Sequence, residues 1–322
     1  MSEREAAKGE PKVRLAYGVK LTLAYDGTDF HGWQSQPKVR TVQKTVERAV
    51  RALGLRCTRM RGCSRTDAGV HALGQVASFA CDRDLPEKAW THGLNGLLPP
   101  DVAVMGAEAV DRRYDPRNDT TGKLYRYQIT VGETRDPLSR RQAWHLSSRS
   151  GRKDIPKHGR PRRVEAFLDL EAMRDAARRL EGTHDFKAFR AYDDRRENTV
   201  RTMRSVRVLP GWGGREDMLA IEVEGNAFMK NMVRILAGTL VDIGRLHLEP
   251  SRIDRMLAPE GQRKDGGQTA PAMGLTLVRI DLGRGDHPRA PKKEPTGEGA
   301  LTGEVRMAGR EPQEIGPETE AP

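Results

Sequence analysis

Hydrophobic and polar positions alternate along several short stretches of the chain and recur every three to four residues along others. Val19–Tyr25 (VKLTLAY) alternates like a half-buried strand and ends at Asp26-Gly27, a turn pair. Gln75–Phe79 (QVASF), Val102–Val104 and Lys123–Val131 (KLYRYQITV) also read as strands, as do Met203–Leu209, Met218–Val223 and Leu275–Ile280. Thr41–Leu55 instead carries Val42, Val46, Ala49, Val50 and Leu53 at the spacing of one buried helix face, with Gly54 placed to end it. Asp169–Glu181 predicts a second helix, with Asp169 as its cap and Gly182 as its stop. Asn226–Ile243 predicts a third, with Phe228, Met232, Leu236 and Leu240 four apart and Gly244 behind them. Strands and helices mix in both halves. The pattern therefore supports an α+β architecture in which each half has a sheet backed by helices.

The 322 residues leave room for about two domains. Residues 1–12 read as a disordered N-terminal tail and 282–322 as a disordered C-terminal one. The latter has no aromatic residue and sets six basic residues against eight acidic, too little apolar surface to offset the entropy of ordering. The folded part then spans an N-terminal half at 13–118 and a C-terminal half at 119–281. The second half holds a basic insertion loop at 147–163, in which Arg149–Arg163 carries seven basic residues and one Asp. The whole chain has 56 Lys and Arg against 45 Asp and Glu, a net charge of +11, which favours an anionic partner. No stretch approaches the roughly 18–20 apolar residues of a membrane span. The charged N-terminus lacks the apolar core of a signal peptide. Cys57, Cys63 and Cys81 form no Cys-x-x-Cys, and no His pair has metal-ligand spacing, so free thiols and no metal site are expected. A cytoplasmic protein fits these features.

The window Arg61–Gln75 (RGCSRTDAGVHALGQ) falls between a predicted helix and strand. It combines Gly62, Gly69 and Gly74 with Arg65, Thr66 and Asp67, the composition of a tight loop that presents a charged pair to a cleft. Arg65 and Asp67 are two apart and share a side of an extended segment. An adjacent guanidinium favours the ionised carboxylate, and an ionised Asp in a pocket is a usable nucleophile. The same pair also fits a solvated surface turn. Arg40, Lys44, Arg48 and Arg51 form a basic stripe opposite the apolar face of the first helix, either a solvated face or a contact surface for phosphates. Lys230 and Arg234 on the third helix are similar candidates.

RTDAGVH at 65–71 resembles the Gly-Arg-Thr-Asp-x-Gly-Val-His signature of the tRNA pseudouridine synthase A family. Five further stretches resemble that family in its own order: LAYDGTDFHGWQ at 23–34, LYRY at 124–127, DFKAFR at 185–190, NAFMKNMVRILAG at 226–238 and AMGLTL at 272–277. The resemblance implies the pseudouridine synthase fold: two ferredoxin-like halves whose antiparallel sheets join around a central cleft. It implies an isomerase that converts uridine in the anticodon stem-loop of tRNA, at tRNA positions 38 to 40, without a cofactor, acting as a homodimer. Asp67 matches the nucleophile and Arg65 its partner, which fills the space the base vacates. Tyr125 matches the active-site Tyr that stacks on the flipped uracil and helps move a proton from carbon. Leu275 resembles the apolar residue that closes the pocket. Arg40, Lys44, Arg48, Lys230 and Arg234 are the expected RNA contacts.

Two departures stand out. The family's Gly before Arg is Ser64 here, and its Phe-His-Ala-Arg is Tyr114-Asp115-Pro116-Arg117, so the His has become Asp115. Two alternatives stay open: the same chemistry on another RNA site, or a non-catalytic tRNA-binding protein, which needs basic charge but no buried carboxylate.

Overall fold

The alternating stretches become strands of one mixed sheet in the computed structural model, which describes residues 15–147 and 162–283. The strands are β1 (Tyr17–Tyr25), β2 (Arg61–Gly62), β3 (His71–Cys81), β4 (Val102–Val110) and β5 (Thr120–Val131), then β6 (Trp144–Leu146), β7 (Gly182–Asp185), β8 (Val200–Pro210), β9 (Met218–Gly225) and β10 (Leu275–Leu282). Their spatial order is β4-β1-β3-β10-β5-β9-β8-β7, with β2 beside β3 and β6 beside β5. Only β3–β10 and β5–β6 are parallel among these pairs; the others are antiparallel.

The last strand is the joint. β10 pairs along most of its length with β5, from Leu275 opposite Tyr127 to Leu282 opposite Thr120. It meets β3 over just two residue pairs, Thr276 with His71 and Leu277 with Ala72. The seam between the two groups of strands thus lies at the start of β3, directly after the RTDAG loop, and at the start of β10. The topology places that loop and Leu275 at one spot, although some 200 residues separate them.

Helices cover the sheet: α1 (Val42–Ala52), α2 (Glu87–Asn95), α3 (Pro116–Asp119), α4 (Leu170–Arg179), α5 (Met232–Gly244) and α6 (Arg252–Leu257). α2 packs on β4, and α4 packs on β8 and against α5. Leu21, Leu23, Phe79, Tyr127, Ile129 and Leu236 are among the fully buried side chains of the core. Each apolar one contributes about 1.5–3 kcal/mol relative to exposure.

The predicted elements hold with shifted ends. α1 starts at Val42 because Thr41 has extended backbone (φ −134°, ψ 152°), and Leu53 caps the helix instead of continuing it. Asp169 caps α4 as expected: its Oδ1 accepts from Ala172 N at 3.0 Å, worth about 1 kcal/mol. The helix expected over Asn226–Ile243 is corrected. Asn231 has φ +60°, a left-handed conformation that no α-helix continues through, so α5 starts at Met232. Phe228 kept the four-residue spacing, yet it packs edge-on against Tyr125 at 5.1 Å between ring centroids. α2 was not foreseen: only Trp90 and Leu94 of it are buried, too few to show a period.

The N-terminal tail, residues 148–161 of the basic stretch and the C-terminal tail from 284 lie outside the described residues. Among the described residues no helix is long and apolar enough to cross a membrane, and no group of three His, Cys, Asp or Glu is placed to hold a metal.

Candidate active site

Asp67 sits in the loop between β2 and β3, and the end of β1 with the segment that follows it pins that loop from behind. Trp33 N donates to Thr66 O at 3.1 Å, and the Tyr25 hydroxyl bonds Thr66 Oγ1 at 2.8 Å. Gln75 holds the other side: its Nε2 donates to Ser64 O at 2.7 Å and its Oε1 accepts from Ser64 N at 3.2 Å. Close approach explains the glycines of DGTDFHGW. A Cβ at Gly27 would stand 2.0 Å from Val70 O, and Gly32 adopts φ +84° beneath Thr66. His71 ties three segments together. Its Nδ1 accepts from Gly27 N at 3.1 Å, so its Nε2 carries the proton and donates to Met273 O at 3.0 Å. A satisfied structural His is what these bonds describe.

The loop forms one wall of a cleft of about 1200 Å³ whose other walls come from β5, the segment before α5 and the start of β10. Asp67 is half-buried in it. Burial raises its pKa above the usual carboxylate range, while the charges of Arg234 and Lys230 and the N–H of Asn231 pull it down. The left-handed Asn231 turns the chain so that the N-terminal end of α5 faces this carboxylate, where the helix dipole also favours negative charge. Arg234 is held by Nε donating to Ala270 O at 2.7 Å and by Nη1 donating to Asn231 Oδ1 at 2.9 Å. Lys230 is held by Asp193 at 2.6 Å, and its backbone N–H donates to Asp194 Oδ2 at 2.9 Å. Among the described residues Asp67 forms no direct ion pair, so its oxygens stay available inside a positive field.

Arg65 is not the cation that sets this field. Thr66 is drawn inward by Tyr25, which leaves Arg65 exposed at the mouth of the cleft, without an ion pair to Asp67 among the described residues. The charge that an Arg-x-Asp spacing seemed to supply locally comes from Arg234 and Lys230, more than 160 positions away. Tyr125 lies in the cleft wall, buried, with its hydroxyl 3.0 Å from Ser64 Oγ. Burial pushes that hydroxyl up to about 12, the Ser64 bond opposes the shift and the Asp67 charge adds to it. Leu275 lines the same cleft and is 6% exposed. Tyr127, two positions further along the same face, is core: it donates to Pro271 O at 2.7 Å.

The basic stripe of α1 is elsewhere. Arg40 is paired with Asp101 at 2.7 Å and lies over the Phe30 ring at 4.0 Å. Lys44 and Arg48 line a shallow basin of about 730 Å³ with Lys38 and Leu97. Arg51 reaches Glu47 at 3.7 Å. None of these side chains lines the Asp67 cleft. At the second departure from the family pattern, Asp115 caps α3 and pairs with Arg117 at 2.5 Å, while Arg117 reaches the cleft. Sequence reading missed Ser64, Lys123, Arg196, Arg201 and Phe228 as cleft residues. Lys123 was legible in principle, since it is two positions from Tyr125 on a strand and so shares its face.

A family profile described as tRNA pseudouridine synthase matches residues 22–117 and 176–281. The tRNA pseudouridine synthase A of Myxococcus xanthus is 45% identical over 274 residues, 85% of this chain and 95% of the relative. That of Geobacter sulfurreducens is 42% identical over 262 residues, 81% of this chain and 98% of the relative. That of Geotalea daltonii is 40% identical over 262 residues, with the same shares. The matched segments contain the Asp67 loop, Tyr114 to Arg117, α5 and Leu275, and the α+β fold with its large antiparallel sheet is the pseudouridine synthase fold. On fold and similarity alike, the chain belongs to the tRNA pseudouridine synthase family.

Proposed function

We propose that this chain isomerises uridine to pseudouridine in the anticodon stem-loop of tRNA, at positions 38 to 40, with Asp67 as nucleophile. The observation that carries the reading is the state of Asp67: a half-buried carboxylate with no direct ion pair among the described residues, facing Arg234, Lys230 and the N-terminus of α5. A merely structural carboxylate would be consumed by an ion pair; this one has burial working against its anion, Arg234 and Lys230 offsetting part of that cost, and its oxygens left open to a ligand. The target base must leave its stack to reach it, at a cost of about a few kcal/mol. Arg65 at the cleft mouth fills the space the base vacates. Tyr125 stacks on the flipped uracil and receives the proton from carbon C5, and Leu275 closes the pocket. Lys230 and Arg234 serve the carboxylate and the nearest phosphate. Lys44 and Arg48, with Arg40 held beside them, contact phosphates farther along the tRNA. The enzyme works in the cytoplasm as a homodimer, so that one tRNA touches both subunits.

The test is to map pseudouridines in tRNA incubated with the protein and with Asp67→Asn. The intact chain is expected to modify the anticodon stem-loop, and the variant to bind the same tRNA while losing at least about 10⁴-fold in rate. Full activity in the variant removes Asp67 from the mechanism. Modification at other uridines alone corrects the target and leaves the chemistry standing.

A further inference from the structure

Ser64 replaces the glycine of the family pattern, and its side chain is almost fully buried rather than facing solvent. Its Oγ lies 3.0 Å from the Tyr125 hydroxyl and 3.3 Å from Lys123 Nζ. Lys123 and Tyr125 lie two apart on β5 and both reach the cleft. Among the described residues Lys123 has no carboxylate partner. Burial pulls its amine pKa down, as does the charge of Arg196, and Cys63 opposes the shift. The groups that face Tyr125 are Asp67, Cys63, Ser64 and, across the sheet, Tyr25. A hydroxyl can accept and donate at once, so Ser64 is able to connect a phenol on one side to an amine on the other.

We propose that Ser64 and Lys123 form a proton relay for Tyr125. The proposal rests on the reading of Tyr125 as the group that receives the C5 proton. After the uracil has been rejoined through C5, the C5–H bond breaks and its electron pair restores the C5–C6 double bond. The proton goes to the Tyr125 oxygen while the phenol's own proton passes to Ser64 Oγ. The Ser64 proton passes to the amine of Lys123 when that amine is in its neutral form, which its lowered pKa brings within easier reach; the ammonium form donates to Ser64 Oγ instead. The resulting ammonium returns its proton to water, and N1 of the base takes one from water, so the isomerisation changes no proton count. Ser64 and Lys123 touch no reacting atom. They are positioning and relay residues that act through Tyr125.

The test uses the full chain and tRNA carrying [5-³H]uridine, with tritium release followed from pH 6 to 9 and a parallel measurement on 5-deuterated uridine. Ser64→Ala and Lys123→Met are each expected to lower kcat about tenfold with KM held within about twofold. Both should enlarge the isotope effect at C5. Lys123→Met should also remove the limb on which the rate rises with pH, since only the neutral amine accepts a proton. Ser64→Thr keeps the hydroxyl and should restore the rate, which separates loss of the relay from loss of folding. If Ser64→Ala and Lys123→Met keep the parent kcat, isotope effect and pH profile while Tyr125→Phe is inactive, the relay is overturned and Tyr125 stands. If Tyr125→Phe is fully active, the reading of Tyr125 fails and takes the relay with it.

Discussion

The Asp67 cleft and the basin behind α1 are both rich in arginine and lysine, yet they hold those charges in opposite ways. In the basin Arg40 is spent on Asp101 and Phe30, and Arg51 reaches Glu47, while Lys44 and Arg48 look into open solvent. There salt screens a charge within about 8–10 Å, and each residue adds only a modest attraction for an anion. In the cleft the cations are held by backbone carbonyls or by Asp193, and their field falls on a half-buried carboxylate. A field in a partly desolvated site acts more strongly than the same charges in water. On the proposed function, one region gathers RNA and the other tunes a reactive group. Composition cannot tell them apart.

Measurements that set the two regions against each other rank accordingly. After the loss expected at Asp67 itself, Arg234→Met should cost the most, about 10²-fold in kcat, because it removes the leading cation facing the carboxylate. It should also move the acid side of the pH–rate profile. Asp67 must be ionised, and its pKa already stands above the usual range, so activity falls as pH drops through that raised value. Without Arg234 the value rises further and the fall begins at higher pH, which kcat measured from pH 5 to 8 will report. An unmoved acid limb would mean that Arg234 does not set the charge of Asp67. Leu275→Ala should follow, with about 2–5 kcal/mol of stability lost because Leu275 is buried where β10 meets Tyr127. Thermal melting checks this, and a stability change near zero would argue that the cleft wall relaxes. The smallest effect belongs to the basin. Lys44→Gln with Arg48→Gln should leave kcat alone, weaken tRNA binding several-fold and flatten the salt dependence of binding by about 1–2 in log–log slope. An unchanged slope would make the basin an ordinary solvated face.

The period-two stretches, the three-and-four spacing of α1 and the cap and stop signals of α4 were enough to anticipate the main strands and two helices. The failures share a cause. The third helix was drawn too long because the four-residue spacing of Phe228 and Met232 is blind to backbone sign, and Asn231 reverses it at φ +60°. α2 was missed because its two buried residues leave no pattern. In the site, Asp67, Tyr125 and Leu275 were named from local motifs and lie together. Arg65 was expected to pair with Asp67 because it is near in sequence, but the inward turn of Thr66 separates their heads. Lys230 and Arg234 were noticed only as basic residues on a helix, and their part beside Asp67 was invisible in a one-dimensional reading.

The sequence by itself determined which residues alternate, where the chain turns and which short motifs mark the family, because each of these is written in neighbours a few positions apart. Only the tertiary structure decided which charges meet. The two-pair joint of β3 with β10 and the reversal at Asn231 bring the Asp67 loop, Leu275 and Arg234 to one cleft, while the stripe of α1 goes to another face. Coulomb energies fall with distance through space and with solvent exposure, and neither quantity can be read from separation along the chain.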